Sequence, residues 1–163
     1  MPARMLLGVR PRTTALAETD DTLFESSGRR LLVTCARNPS ALSAWIRVLG
    51  DVAGQATRHA IVEVAPDWRA DDAKEMSQLV AENFASLTLV VSNDAPPNVR
   101  NLSEIFQHAK LARENALSAA IDRTERIIGA DGPSDFIFVA PSKRSGRDLA
   151  NEHCTKRNMV RLS

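Results

Sequence analysis

Four short runs rich in Val, Ile and Leu constrain this chain more than any other feature: LLVTC at 31–35, HAIVEVAPD at 59–67, LTLVVSND at 87–94 and DFIFVAP at 135–141. Such runs, closed by Pro, Asn or Asp, read as buried strands. The segments between them have helical spacing. Ser40–Val52 places Ala41, Leu42, Trp45, Val48, Leu49 and Val52 on one face, with Asn38-Pro39 as a start signal and Gly50 and Gly54 marking the end. Residues 70–85 do the same with Met76, Leu79, Val80 and Phe84. Asp71 and Asp72 fall in the first turn of that helix, where carboxylates complement the macrodipole. Apolar strands alternating with helices point to an α/β fold: a three-layer, Rossmann-like sandwich with a mostly parallel sheet and helices on both faces. A β-hairpin leads in, from a short strand near Leu23–Glu25 through Ser26–Gly28 to the strand at Leu31.

The second half is less regular. VRNLSEIFQHAKLARENA, residues 99–116, is expected to be a third helix. Residues 116–130 read two ways: as its continuation, or as a short strand LSAAI followed by a helix from Asp122. SGRDLANEHCTKRN forms a final helix or a frayed tail. The expected division is a flexible segment at 1–22, one domain at 23–150 and a tail at 151–163. The length of 163 residues fits one domain that buries a sizeable core without a disulfide or metal.

Composition excludes several function classes. The net charge of +1 and the absence of Tyr argue against a nucleic-acid partner. No window approaches the apolar length of a membrane span, and MPARMLLGVRPR lacks the apolar core of a secretory signal. Two cysteines, Cys35 and Cys154, and histidines at 59, 108 and 153 give no zinc spacing, so no metal site is expected. Two unpaired-looking cysteines suit a reducing, cytoplasmic compartment. The sequence contains no GxxxxGK[ST], no GxGxxG and no GxSxG.

In an open α/β sheet, ligands bind at the carboxyl ends of the strands. That rule selects TCARNPS (34–40), APDWRADD (65–72), SNDAPPNVR (92–100) and APSKRSGR (140–147). The candidate ligand-binding residues in these loops are Arg37, Asn38, Asp67, Arg69, Asn93, Asp94, Arg100 and Lys143. Each also has an ordinary structural reading, as turn residue, helix cap or solvated charge. Arg37 is a bidentate donor suited to phosphate or carboxylate. Cys35 reads as a small residue buried at a strand end, and no catalytic residue is assigned.

The four loops together resemble the C-terminal domain of the Mur ligase superfamily, closest in pattern to the cyanophycin synthetase and peptidoglycan amino-acid ligase types. LLVTCARNPSAL is similar to the family's VLVDYAHNPAAL, and APDWRADD to APGDRRDED. VVSNDAPPNVR lies near the position of SDNPR or DDLRGR. DRTERI at 122–127 resembles DRxEAI, GPSDFIFVAPSK resembles KPGDLVVILADK, and ETDDTLFESSGRR resembles the lead-in GRMNLFEVGGR. The similarity spans about residues 20–150.

The resemblance implies a division of labour. In the full enzymes a central P-loop domain holds ATP and Mg²⁺ and forms an acyl phosphate. The C-terminal domain closes over it, completes the nucleotide site and presents the amine. This sequence carries no P-loop, and in its DYAHNP-like loop Thr34, Cys35 and Arg37 stand in place of Asp, Tyr and His, leaving Ala36, Asn38 and Pro39. Two expectations follow. One is a stand-alone, degenerate, non-catalytic domain that binds a partner protein, itself or a small anionic ligand, with no cofactor of its own. The other is the amino-acid-docking subunit of a split ATP-dependent amide ligase. There ATP and Mg come with a ligase-core partner, and Arg37, Asp67, Arg69 and Arg100 orient nucleotide and amino acid.

Overall fold

The computed structural model describes residues 21–26, 29–129 and 135–162. The segment expected to be flexible lies outside them up to residue 20, as do hairpin positions 27–28 and the turn at 130–134. Among the described residues seven strands form one sheet: β1 (Thr22–Ser26), β2 (Arg29–Val33), β3 (Arg58–Glu63), β4 (Ser86–Val90), β5 (Leu111–Glu114), β6 (Phe136–Ala140) and β7 (Val160–Arg161). Their spatial order is β5-β4-β3-β6-β2-β1-β7. The five strands from β5 to β2 are parallel, while β1 runs antiparallel to both β2 and β7. The fold class is therefore the one read from the sequence, with the lead-in hairpin extending one edge. Among the described residues no helix is long and apolar enough to cross a membrane.

The helices among the described residues are α1 (Pro39–Val52), α2 (Ala70–Asn83), α3 (Pro97–Ser103), α4 (Leu117–Ile128) and α5 (Arg144–Lys156). Asn38 caps α1, its side-chain oxygen accepting from Ala41 N–H at 2.8 Å, and Pro39 supplies a first helical residue that needs no partner. At α2 the Asp72 carboxylate reaches back to accept from Arg69 N–H at 3.0 Å, one half of a capping box. Gly129 ends α4 at φ 70°, a backbone region that β-carbons disfavour.

Alternation along the strands sorts the core into two layers. Leu32, Ala60, Val62, Leu87, Leu89, Phe136 and Phe138 face α1, α2 and α3, where they meet Leu42, Leu49, Met76, Val80 and Leu102. Leu31, Val33, Ile61, Val90, Ile137 and Val139 face α4 and α5, where they meet Leu117, Ile121, Ala150 and Cys154. Leu32, Leu42 and Leu49 are wholly buried, each worth about 1.5–3 kcal/mol of transfer free energy.

The structure corrects the expected third helix. α3 is only seven residues long, and Glu104 N–H closes it onto the carbonyls of Arg100, Asn101 and Leu102. The chain then forms β5 inside the segment expected to be helical. The backbone groups along the open side of β4 decide this: Leu87–Val90 pair in register with Leu111–Glu114, satisfying donors that a helix would have left exposed on the sheet edge. Residues 117–121 are neither strand nor continuation of α3; they open the separate helix α4. α5 runs through residue 156, and β7 adds a strand that sequence periodicity did not reveal.

Candidate functional site

The connections leave the parallel strands on two sides. β2, β3 and β4 lead into α1, α2 and α3 on one face; β5 and β6 lead into α4 and α5 on the other. β6 lies between β2 and β3, so neighbouring connections diverge there, and a ligand crevice is expected at that switch point. Several of the protein's own side chains meet there. Glu63, the last residue of β3, accepts from both the backbone N–H and the hydroxyl of Ser142, each at 2.8 Å. Gly146 packs against this contact so tightly that a β-carbon would lie 3.0 Å from Glu63 Oε1. The buried Arg147 side chain directs Nη1 to Cys35 Sγ at 3.7 Å and Nη2 to Asp148 at 3.2 Å. Buried Trp68 donates its indole N–H to the Arg37 carbonyl, fixing the β2–α1 loop over the β3–α2 loop.

Around these contacts the candidate residues partner one another. Arg37 and Asp67 form an ion pair at 3.8 Å, with side chains 48% and 71% exposed. Asn38 is occupied as the cap of α1. Arg69 sits 3.7 Å from Asp72, one helical turn on. Asp94 accepts from the Ser92 hydroxyl, and that hydrogen bond holds its carboxyl below the usual carboxylate value. Lys143 takes the exposed N-cap position of α5. Cys35 is half-buried rather than fully buried, because β2 ends at Val33. The hydroxyl of Thr34, where the Mur-type loop has Asp, is buried with no hydrogen-bond partner.

Asn93 and Arg100 come together in a different place. Arg100 Nη2 donates to the Asn93 carbonyl at 2.8 Å. Both line an open cleft of about 610 Å³ at the carboxyl ends of β4 and β5, along with Glu104, Arg113 and Glu114. Arg113 donates to the Ser103 carbonyl at 3.3 Å, and Glu114 pairs with Arg123 at 3.3 Å. Arg100, Arg113, Glu104 and Glu114 thus bring both signs of charge to the cleft lining, with Arg113 and Glu114 leaving β5 on opposite faces. The helix expected over 99–116 conceals Arg113 and Glu114, which reach the cleft through the pairing of β5 with β4, and Glu104, which reaches it as the residue closing α3.

Among the described residues no three His, Cys, Asp or Glu side chains converge, and Asp67 and Asp72 each face an arginine.

No family model matches the sequence, and no curated protein matches it. Solved structures do. A folylpolyglutamate synthase from Thermotoga maritima is similar with a TM-score of 0.61 and 14% identity, over 83% of this chain and 30% of that one. A UDP-N-acetylmuramoyl-L-alanyl-D-glutamate–2,6-diaminopimelate ligase gives a TM-score of 0.62 and 12% identity, over 85% of this chain and 31% of that one. A domain of a Haemophilus ducreyi protein, described as a UDP-N-acetylmuramate:L-alanyl-gamma-D-glutamyl-meso-diaminopimelate ligase, gives 0.54 and 15%, over 81% of this chain and 94% of that domain. The chain spans about 30% of the two full ligases, and its fold matches the Mur ligase C-terminal domain.

Proposed function

We propose that this chain is a binding domain on a Mur-ligase C-terminal scaffold, holding a free amino acid or similar small zwitterion without activating a carboxylate by itself. The cleft carrying Arg100 and Arg113 beside Glu104 and Glu114 supports this reading. Guanidinium groups recognise a carboxylate through paired N–H donors, and carboxylates recognise an ammonium. The pairing of Asp67 and Asp72 with arginines supports a site that takes its ligand without Mg²⁺. The two free thiols suit the reducing cytoplasm.

A second reading uses the same cleft. The chain would be the amino-acid-docking half of a split ATP-dependent amide ligase, with ATP and Mg²⁺ on a separate P-loop subunit. The position of the cleft at the carboxyl ends of parallel strands favours it, since that end faces a reacting partner in such sheets.

A thermal-shift panel of single amino acids, arginine and aspartate included, with Mg-ATP and Mg-ADP, tests the first reading. A ligand at a hundredfold excess over its dissociation constant stabilises the native state by about 2.7 kcal/mol. One amino acid is expected to raise the melting temperature, Arg100→Ala to abolish the rise, and nucleotides alone to give none. A flat response to every amino acid overturns the cleft as the site. ATP-dependent ligation by the purified chain overturns the non-catalytic reading. Ligation only on mixing with a P-loop ligase core establishes the second.

A further inference from the structure

The opposite end of the sheet carries a polar row that the carboxyl-end cleft does not use. His59, Ser86 and Asp135 stand at the amino ends of β3, β4 and β6, which are neighbours. The register builds the row: His59 lies directly opposite Ser86, and also opposite Ile137, two residues beyond Asp135. Period-two alternation puts all three on the face of Ile61, Val90 and Ile137, beneath α4 and α5. His59 Nδ1 is 2.8 Å from Ser86 Oγ, and His59 Nε2 is 2.9 Å from Asp135 Oδ2. The His59 and Asp135 side chains are only 12% and 19% exposed.

The donor chemistry fixes the direction of this relay. A carboxylate only accepts, so Nε2 carries the proton given to Asp135. In the neutral ring Nδ1 is then the acceptor for the Ser86 hydroxyl. That is a nucleophile, its base and an orienting acid in line, each within hydrogen-bond reach of the next. His59 and Ser86 also line a cavity of about 220 Å³ whose walls include Leu111, Ala112, Ile127 and Lys110. It lies below the roughly 300–1,000 Å³ of drug-sized sites, so it suits a short apolar chain.

We propose that His59, Ser86 and Asp135 form a second site, a serine esterase centre for short-chain acyl esters. His59 Nδ1 takes the hydroxyl proton as Ser86 Oγ attacks the acyl carbonyl carbon. The ester C–O bond breaks, and the leaving oxygen departs as an alcohol with that proton. Water, giving a proton to the same nitrogen, attacks the acyl-serine carbonyl; the proton returns to Ser86 Oγ as the carboxylic acid leaves. Ester and water become acid and alcohol, with no redox change. Lys110 lines the same cavity and brings a positive charge to it. Asp135 is a positioning residue that orients the ring.

The test is incubation of the full chain with an alkyl fluorophosphonate, read by intact mass and peptide mapping, beside hydrolysis of p-nitrophenyl acetate and butyrate. One adduct on Ser86 is expected, with ester hydrolysis falling to background in S86A. H59A is expected to slow adduct formation by roughly 10²-fold or more, the usual contribution of a positioned base. D135N slows it less and D135E recovers part of the loss, which a merely structural aspartate would not do. An unmodified Ser86 in the folded wild-type chain overturns the proposal, whether or not the variants fold. So does ester hydrolysis that is unchanged in S86A.

Discussion

The two ends of the parallel sheet are built by different rules. At the carboxyl end the interior of the switch point is joined across long separations, Glu63 to Ser142 and Arg147 to Cys35, but rim side chains find partners close by in sequence: Asn38 caps α1 at Ala41, Asp72 reaches Arg69, and Ser92 bonds Asp94. The rim contacts are exposed and close the geometry of turns and helix starts. At the amino end, His59 meets Ser86 and Asp135 across 27 and 76 residues. Nothing local brings them together; strand order and register do. The exposed rim of the carboxyl end therefore rests on small, self-contained contacts. The row at the other end depends on the sheet as a whole.

The largest expected effect comes from removing what both ends share. Phe138 is wholly buried on β6 and packs against Phe84 and Trp45, with ring centroids 5.6 Å and 6.4 Å away. Phe138→Ala should cost about 3–5 kcal/mol in a urea melt and lower occupancy of both ends together. If only one end were lost, the sheet would not be the common support.

Within the carboxyl end, the interior and the rim should separate. Gly146→Ala pushes a methyl against Glu63 Oε1, Leu117 and Pro141 at 3.0–3.3 Å. Overpacking of this kind costs about 1–3 kcal/mol, measurable by denaturant midpoint. Asn38→Ala should cost about 1 kcal/mol through the lost cap of α1. Arg37→Ala, on the exposed rim, should cost only about 0.2–1 kcal/mol, less at high salt. A larger loss at Arg37 than at Gly146 would reverse the contrast between packed interior and open rim.

The smallest effect leaves stability untouched. Cys154 faces the core from α5, and burial, reinforced by the Glu125 charge, pushes its thiol up to about 12. Cys35 is half-buried at the carboxyl-end loop. At neutral pH a disulfide reagent should titrate one thiol of the native chain and the second only on unfolding, and Cys35→Ser should remove the fast one. Fast reaction of both would place Cys154 outside the closed core.

Much of the fold was legible because its signals are local. Apolar runs gave β2, β3, β4 and β6, and helical spacing gave α1 and α2 to within two residues or so at each end. The Asn38-Pro39 start worked because capping needs only the next three residues. β5 failed the same test: Leu111-Ala112-Arg113-Glu114 has no strand pattern of its own and is a strand because β4 offers an unpaired edge. Of the site, the carboxyl-end loops were found from the strand–helix alternation. The cleft's Arg113, Glu104 and Glu114 were hidden behind the misread helix.

The sequence by itself determined the class of fold, the starts of α1 and α2 and which end of the sheet carries the candidate loops. Each of these follows from side-chain period and backbone capping, which act over a few residues. Tertiary structure alone decided that Glu63 and Ser142 meet at the switch point, that Arg100 and Arg113 share a cleft, and that His59 stands between a serine and an aspartate. Those juxtapositions arise from strand order and register, which depend on pairing energies summed over the whole sheet.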